Sequence, residues 1–125
     1  MKSVLVVDDS ETIRQHVGEA LTSAGFQVVE ASDGAAGLKR AAEQAFSLII
    51  LDVNMPLMNG IEMLERLKQD PKLAIVPVLM LTTEAQRSMI DRARKVGAKA
   101  WLIKPIKAES LVATVQKVLQ QQGAA

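Results

Sequence analysis

Five short apolar runs constrain this chain more than any other feature. They are VLVV at 4–7, VV at 28–29, LIIL at 48–51, VLML at 78–81 and WLI at 101–103. Each is too short for a helix and most are rich in branched side chains, so they read as strands. Between them apolar residues recur every three to four positions. Ile13, Val17, Ala20, Leu21 and Ala24 lead to Gly25, a residue suited to ending a helix in a left-handed cap. Residues 35–45 follow Asp33-Gly34, residues 61–68 follow Asn59-Gly60, residues 85–96 stop at Gly97, and residues 111–119 carry apolar side chains at 111, 115, 118 and 119. Near-continuous apolar strands alternating with helices predict an α/β fold: a parallel sheet covered by helices on both faces, joined by right-handed crossovers. No linker or internal repeat interrupts the pattern, and residues 120–125 read as a soft tail. The expectation is one domain over residues 1–125 with no output domain, a length that buries a core without cross-links.

Composition excludes several classes. The chain has no cysteine, hence no disulfide framework or thiolate metal site, which suits a cytoplasmic setting. The run Val4–Val7 meets Asp8 and Asp9 too soon for a signal peptide or a membrane span, so no membrane insertion is expected. Fifteen basic and fourteen acidic residues give a net charge of +1, unlike the basic excess of a nucleic-acid-binding domain.

The polar residues that end the strands carry the functional signal. In an open parallel sheet, ligands gather outside the carboxyl ends of the strands, near the point where strand order reverses. Asp8 and Asp9 follow the first strand, Asp52 ends the third, Thr82 and Thr83 end the fourth, and Lys104 ends the fifth. Two unit charges about 4 Å apart repel by roughly 4 kcal/mol at an effective dielectric near 20, so three carboxylates on one rim need positive company. Lys104 supplies one charge. A divalent cation would balance the rest, and an all-oxygen donor set with few protein ligands suits Mg²⁺ better than zinc. Taken singly, these residues also have plain structural readings: Asp9-Ser10 as a helix cap, Lys104 before Pro105 as a solvated loop residue, Thr82-Thr83-Glu84 as a helix start. Their shared rim is what points to chemistry.

The motifs VVDDS at 6–10, LDVNMP at 51–56, MNG at 58–60, LTTEA at 81–85 and KP at 104–105 run in order along the chain. On these residues the sequence resembles the response-regulator receiver domains, and is most similar to the stand-alone chemotaxis regulators of the CheY type. The resemblance implies a flavodoxin-like, doubly wound five-stranded parallel sheet of order 2-1-3-4-5 with five helices on both faces. It implies that Asp52 takes a phosphoryl group from a phosphohistidine on a sensor histidine kinase. Asp8, Asp9, Asp52 and the backbone carbonyl of Asn54 would hold Mg²⁺. Lys104 would contact the phosphoryl oxygens, Thr82 would donate its hydroxyl to one of them, and the Lys104-Pro105 bond would be cis. Such a chain is a self-phosphorylating and self-dephosphorylating switch, with Asn54 and Glu84 flanking the approach of hydrolytic water.

The switch would act through helix four, strand five and helix five, including Ile90, Lys99, Trp101 and Lys117. Trp101 takes the strand-five position where tyrosine or phenylalanine is common. A flagellar motor switch protein is the family's usual chemotaxis target, and the expected state is a monomer. One hydroxyl contributes only about 1 kcal/mol net, whereas moving an equilibrium from 1:99 to 99:1 takes about 5.5 kcal/mol. Lys104, loop repacking or a bound partner must therefore supply most of the switching energy.

Other features read as bland. His16 has no metal-ligand companion and reads as solvated. Arg87, Arg92, Arg94 and Lys95 are interrupted by Asp91 and have no aromatic platform in the sequence pattern, so they read as a solvated helix face. Met55 and Met58 read as core or loop packing. Three alternatives stay open: a haloacid-dehalogenase-type phosphatase, which would want a second acid where Ser10 stands; a flavin-binding flavodoxin, whose phosphate three acids would repel; and a degenerate receiver acting only as an interaction module.

Overall fold

A computed structural model of the chain describes residues 2–83 and 87–123. Strands β1 (Ser3–Val7), β2 (Gln27–Ala31), β3 (Leu48–Asp52), β4 (Val78–Thr82) and β5 (Ala100–Ile103) alternate with helices α1 (Glu11–Ser23), α2 (Gly34–Glu43), α3 (Gly60–Gln69), α4 (Met89–Val96) and α5 (Ala108–Gly123). The strands form one sheet in the order β2-β1-β3-β4-β5, and every pairing is parallel. This is the doubly wound, flavodoxin-like arrangement expected from the sequence.

Strand position explains the apolar runs. Every residue of the interior strands β3 and β4 is buried, so both faces demand apolar side chains. The edge strand β2 is mostly half-buried or exposed, which is why only two adjacent valines marked it. Side chains from alternate strand positions feed two cores. Leu5, Val7, Ile49, Leu51 and Met80 pack with Met63, Leu64 and Leu67 of α3 on one face. Val4, Val6, Ile50, Leu79 and Leu81 pack with Val17 and Leu21 of α1 and Leu111 and Val115 of α5 on the other.

Local capping fixes where the helices begin. Ser10 Oγ accepts from the Ile13 N–H at the start of α1, and Asp33 Oδ1 accepts from the Ala36 N–H at the start of α2. Asn59 and Glu62 form a reciprocal capping box at α3. Gly25 and Gly97, with φ of 96° and 126°, end α1 and α4 in conformations that side chains resist. Two expectations need correction. Residues 120–123 are not a soft tail but the last turn of α5, anchored by buried Val118 and Leu119. Among the described residues α4 starts at Met89, after a turn at 87–88; Glu84 and Ala85, where its start was expected, lie outside the described residues, as do Ala124 and Ala125. No helix among the described residues is long and apolar enough to cross a membrane.

Candidate functional site

The strand order reverses at β1: β2 lies on one side of it and β3 on the other. The carboxyl ends of β1 and β3 therefore flank the crevice, and they carry Asp8, Asp9 and Asp52. One carboxylate oxygen from each of these three acids lies within 4.8 Å of the others. Asp8 and Asp52 are buried, at 0% and 2% exposure, while Asp9 is exposed on the open side.

Asp8 is held at all four of its polar groups. Its N–H donates to the Ala31 carbonyl at 3.2 Å and its own carbonyl accepts from Arg14 Nη1 at 2.6 Å. Its Oδ1 accepts from the Ser10 N–H at 2.9 Å and its Oδ2 from Lys104 Nζ at 3.2 Å. The same Nζ donates to Asp52 Oδ1 at 3.0 Å, so one ammonium spans two buried carboxylates.

Burial and the neighbouring Asp8 charge push the Asp52 carboxyl up to about 6, against the opposing pull of Lys104 and of a hydrogen bond from the Asn54 backbone N–H. For Lys104, burial opposes the charge, but the hydrogen bond and attraction of Asp52, joined by those of Asp8, outweigh it and raise the pKa. The Lys104 N–H donates to the Thr82 carbonyl at 2.6 Å, which seats the lysine beside β4, and the Lys104-Pro105 bond is cis. Thr82 is 0% exposed, and among the described residues its Oγ1 has no hydrogen-bond partner. A buried hydroxyl without a partner is costly, so it marks a place for a ligand atom.

The donor set fits a divalent cation. Three aspartates and one lysine leave a formal charge of −2, and every candidate ligand atom is a hard oxygen. The exposed side at Asp9 leaves room for water in the coordination shell.

The loop after β3 is shaped by close approach. A Cβ on Gly60 would collide with the Asp52 carbonyl oxygen, and the Gly60 N–H donates to the Val53 carbonyl at 3.0 Å. Met55 is buried in the core and Met58 packs against Gly34.

Residues 4–116 match the sequence profile of the response regulator receiver domain. The chain belongs to the response-regulator receiver family. Over 116 residues, 92% of this receiver and 90% of the relative, it is 38% identical to the probable chemotaxis protein CheY of Rhizobium etli. It is 35% identical to the chemotaxis protein CheY-3 of Vibrio cholerae, over 94% of this receiver and 92% of that protein. Among solved structures, Vibrio cholerae CheY4 superposes with a TM-score of 0.89 at 42% identity, covering 94% of this receiver and 98% of that chain. The fold and the CheY type therefore stand together.

On the α4–β5 side of the receiver, the expected switch residues are spread out. Trp101 is half-buried on β5, Lys99 and Lys117 are exposed, and Ile90 is largely buried at 8% exposure, so it offers little to a surface. The Arg94 guanidinium lies 4.7 Å from the centroid of the Trp101 ring. That contact corrects the expectation of a basic helix face without an aromatic platform. His16 is exposed, and its Nε2 lies 2.7 Å from the Ile106 carbonyl oxygen. The sequence reading missed Arg14, the Ser10 and Asn54 backbone N–H groups, and the Arg94–Trp101 contact. Only Arg14 left a trace, as a basic residue one turn into the helix that follows the acids.

Proposed function

We propose that Asp52 accepts a phosphoryl group from a phosphohistidine of a sensor histidine kinase and that the resulting acyl phosphate switches a protein-binding surface in chemotaxis or motility control. The observation that carries this reading is a buried carboxylate held by one ammonium on the same rim as a buried hydroxyl that has no partner among the described residues. In the transfer, an Asp52 oxygen attacks phosphorus in line, the N–P bond of the donor breaks, and the departing imidazole takes up a proton. Asp8, Asp9, Asp52 and the Asn54 carbonyl would hold Mg²⁺, which would supply charge neutralisation. Lys104, already 3.0 Å from Asp52, follows the charge onto a phosphoryl oxygen. The Thr82 hydroxyl donates to another.

Loss of the Lys104–Asp52 contact and capture of the Thr82 hydroxyl give β4 and β5 two arrangements, which Trp101 and α4 report outward. Water attack on the acyl phosphate returns the chain to its starting state. The chemotaxis assignment draws on the two CheY relatives, and the effector class is a flagellar motor switch or comparable protein. We place this activity in the cytoplasm, in one receiver domain that acts as a monomer, with neither nucleic acid nor membrane insertion involved.

Treatment with a small acyl phosphate and Mg²⁺, followed by intact-mass measurement, tests the reading. The native chain is expected to gain one phosphoryl group and Asp52→Asn none. An unchanged native mass would instead make the chain an interaction module.

A further inference from the structure

Val7 is the last residue of strand β1 in register with its neighbours, and at the first acid the Asp8 N–H still reaches the Ala31 carbonyl of β2. Arg14 adds a second tie at the same residue. It lies on α1, where its own N–H donates to the Ser10 carbonyl at 3.0 Å, and its side chain turns back so that Nη1 meets the Asp8 carbonyl at 2.6 Å. Its Nε reaches Glu30 Oε1 at 3.2 Å. Glu30 directly precedes Ala31, whose carbonyl takes the Asp8 N–H. One guanidinium thus ties the end of β1 to α1 and to the end of β2. Its side chain is only 16% exposed, against 53% for Arg40 in the exposed Arg40–Glu43 pair of α2.

We propose that Arg14 is a positioning residue for cation binding: by pinning the Asp8 carbonyl and bridging to Glu30, it fixes the angle at which Asp8 and Asp9 present their carboxylates. The inference rests on reading the crevice as a Mg²⁺ site. It differs in sign from a simple electrostatic role. A positive charge near a dication weakens binding, so removing a mere bystander would tighten Mg²⁺ uptake. Removing a positioning group loosens it, by about 10-fold or more where outer-shell partners of metal ligands have been deleted.

Calorimetric Mg²⁺ titration of the full chain separates these outcomes. Arg14→Met keeps the aliphatic stem and is expected to weaken Mg²⁺ binding about 10-fold. Arg14→Lys should recover only part of that, because an ammonium lacks the fork that reaches two acceptors. Glu30→Gln should weaken binding less than Arg14→Met, and Arg40→Met should leave it unchanged. The labelling deficit of Arg14→Met at low Mg²⁺ should close as Mg²⁺ is raised. Thermal unfolding in metal-free buffer establishes that each variant is folded. Native or tighter affinity in folded Arg14→Met would overturn the proposal. Should that variant fail to fold, native affinity in Glu30→Gln, altered at a half-exposed side chain, would overturn it equally. A native chain that takes up no Mg²⁺ would overturn the cation reading itself, whereas native uptake with unchanged variants overturns the role of Arg14 alone.

Discussion

The crevice at the ends of β1 and β3 and the face formed by α4 and β5 are held by interactions of different kinds. In the crevice, Asp8 has all four polar groups engaged and shares one ammonium with Asp52, and both acids are buried. On the α4–β5 face, a half-buried Trp101 lies under Arg94, and beside it Arg92 of α4 bridges half-exposed Glu65 of α3 at 3.7 Å. Breaking a buried charge pair costs about 3–5 kcal/mol, whereas an exposed cation–π contact or ion pair contributes about 1 kcal/mol or less. On the proposed function, chemistry that needs atoms in line would rest on contacts that resist movement. A surface that responds to the site would rest on contacts that give way.

The largest effect should come from Lys104→Ala. Without the ammonium, two buried carboxylates face each other uncompensated, and the metal-free protein is expected to lose about 3 kcal/mol of stability at pH 7.5. Denaturant unfolding should show the loss shrinking near pH 5, where the Asp52 carboxyl, with a pKa of about 6, is protonated. A loss independent of pH would mean that the lysine contributes packing and no charge.

A smaller effect of opposite sign is expected at Asp52. Its pKa is raised from 3.8 in the unfolded reference to about 6 in the folded protein, so between these values the folded state binds more protons. The contribution to stability is therefore fully present below about pH 4, falls as pH rises through about 6, and is flat above. Asp52→Asn should remove that fall and stabilise the metal-free protein by no more than about 3 kcal/mol at pH 7.5. Parallel stability–pH curves for the two proteins would contradict the burial-driven shift.

The smallest effect belongs to the other region. Arg94→Ala should cost about 1 kcal/mol or less and alter Trp101 emission, the only tryptophan signal in the chain, while the extent of Asp52 labelling stays as it was. A large loss of stability would erase the contrast between the two regions.

The same contrast governs what could be seen in the sequence. Asp8, Asp9, Asp52, Thr82 and Lys104 were legible because each stands where an apolar run stops, and parallel topology sends all strand ends to one rim. Ser10, in Asp9-Ser10, was legible as a cap because capping is local, whereas Asp33 and Asn59 were marked only as residues that precede helices. Arg14 was not legible, since one partner follows β1 and the other lies on β2, and no spacing along α1 encodes them. Arg94 and Trp101 are seven positions apart but belong to a helix and a strand, so their stacking depends on how α4 lies over β5. Ile90 was expected on the switch surface from the receiver resemblance, yet it is largely buried. The last turn of α5 was hidden because Gln120, Gln121 and Gln122 are polar. Glutamine is nonetheless a good helix former when an apolar anchor precedes it.

Peptide-mapped mass measurement after treatment with a small acyl phosphate, run across a Mg²⁺ series and in chelator, tests the central claim most directly. The account predicts a single phosphoryl group on the peptide containing Asp52, rising with Mg²⁺ and absent in chelator. Labelling at another residue, or labelling of Asp52 that is indifferent to Mg²⁺, would contradict it.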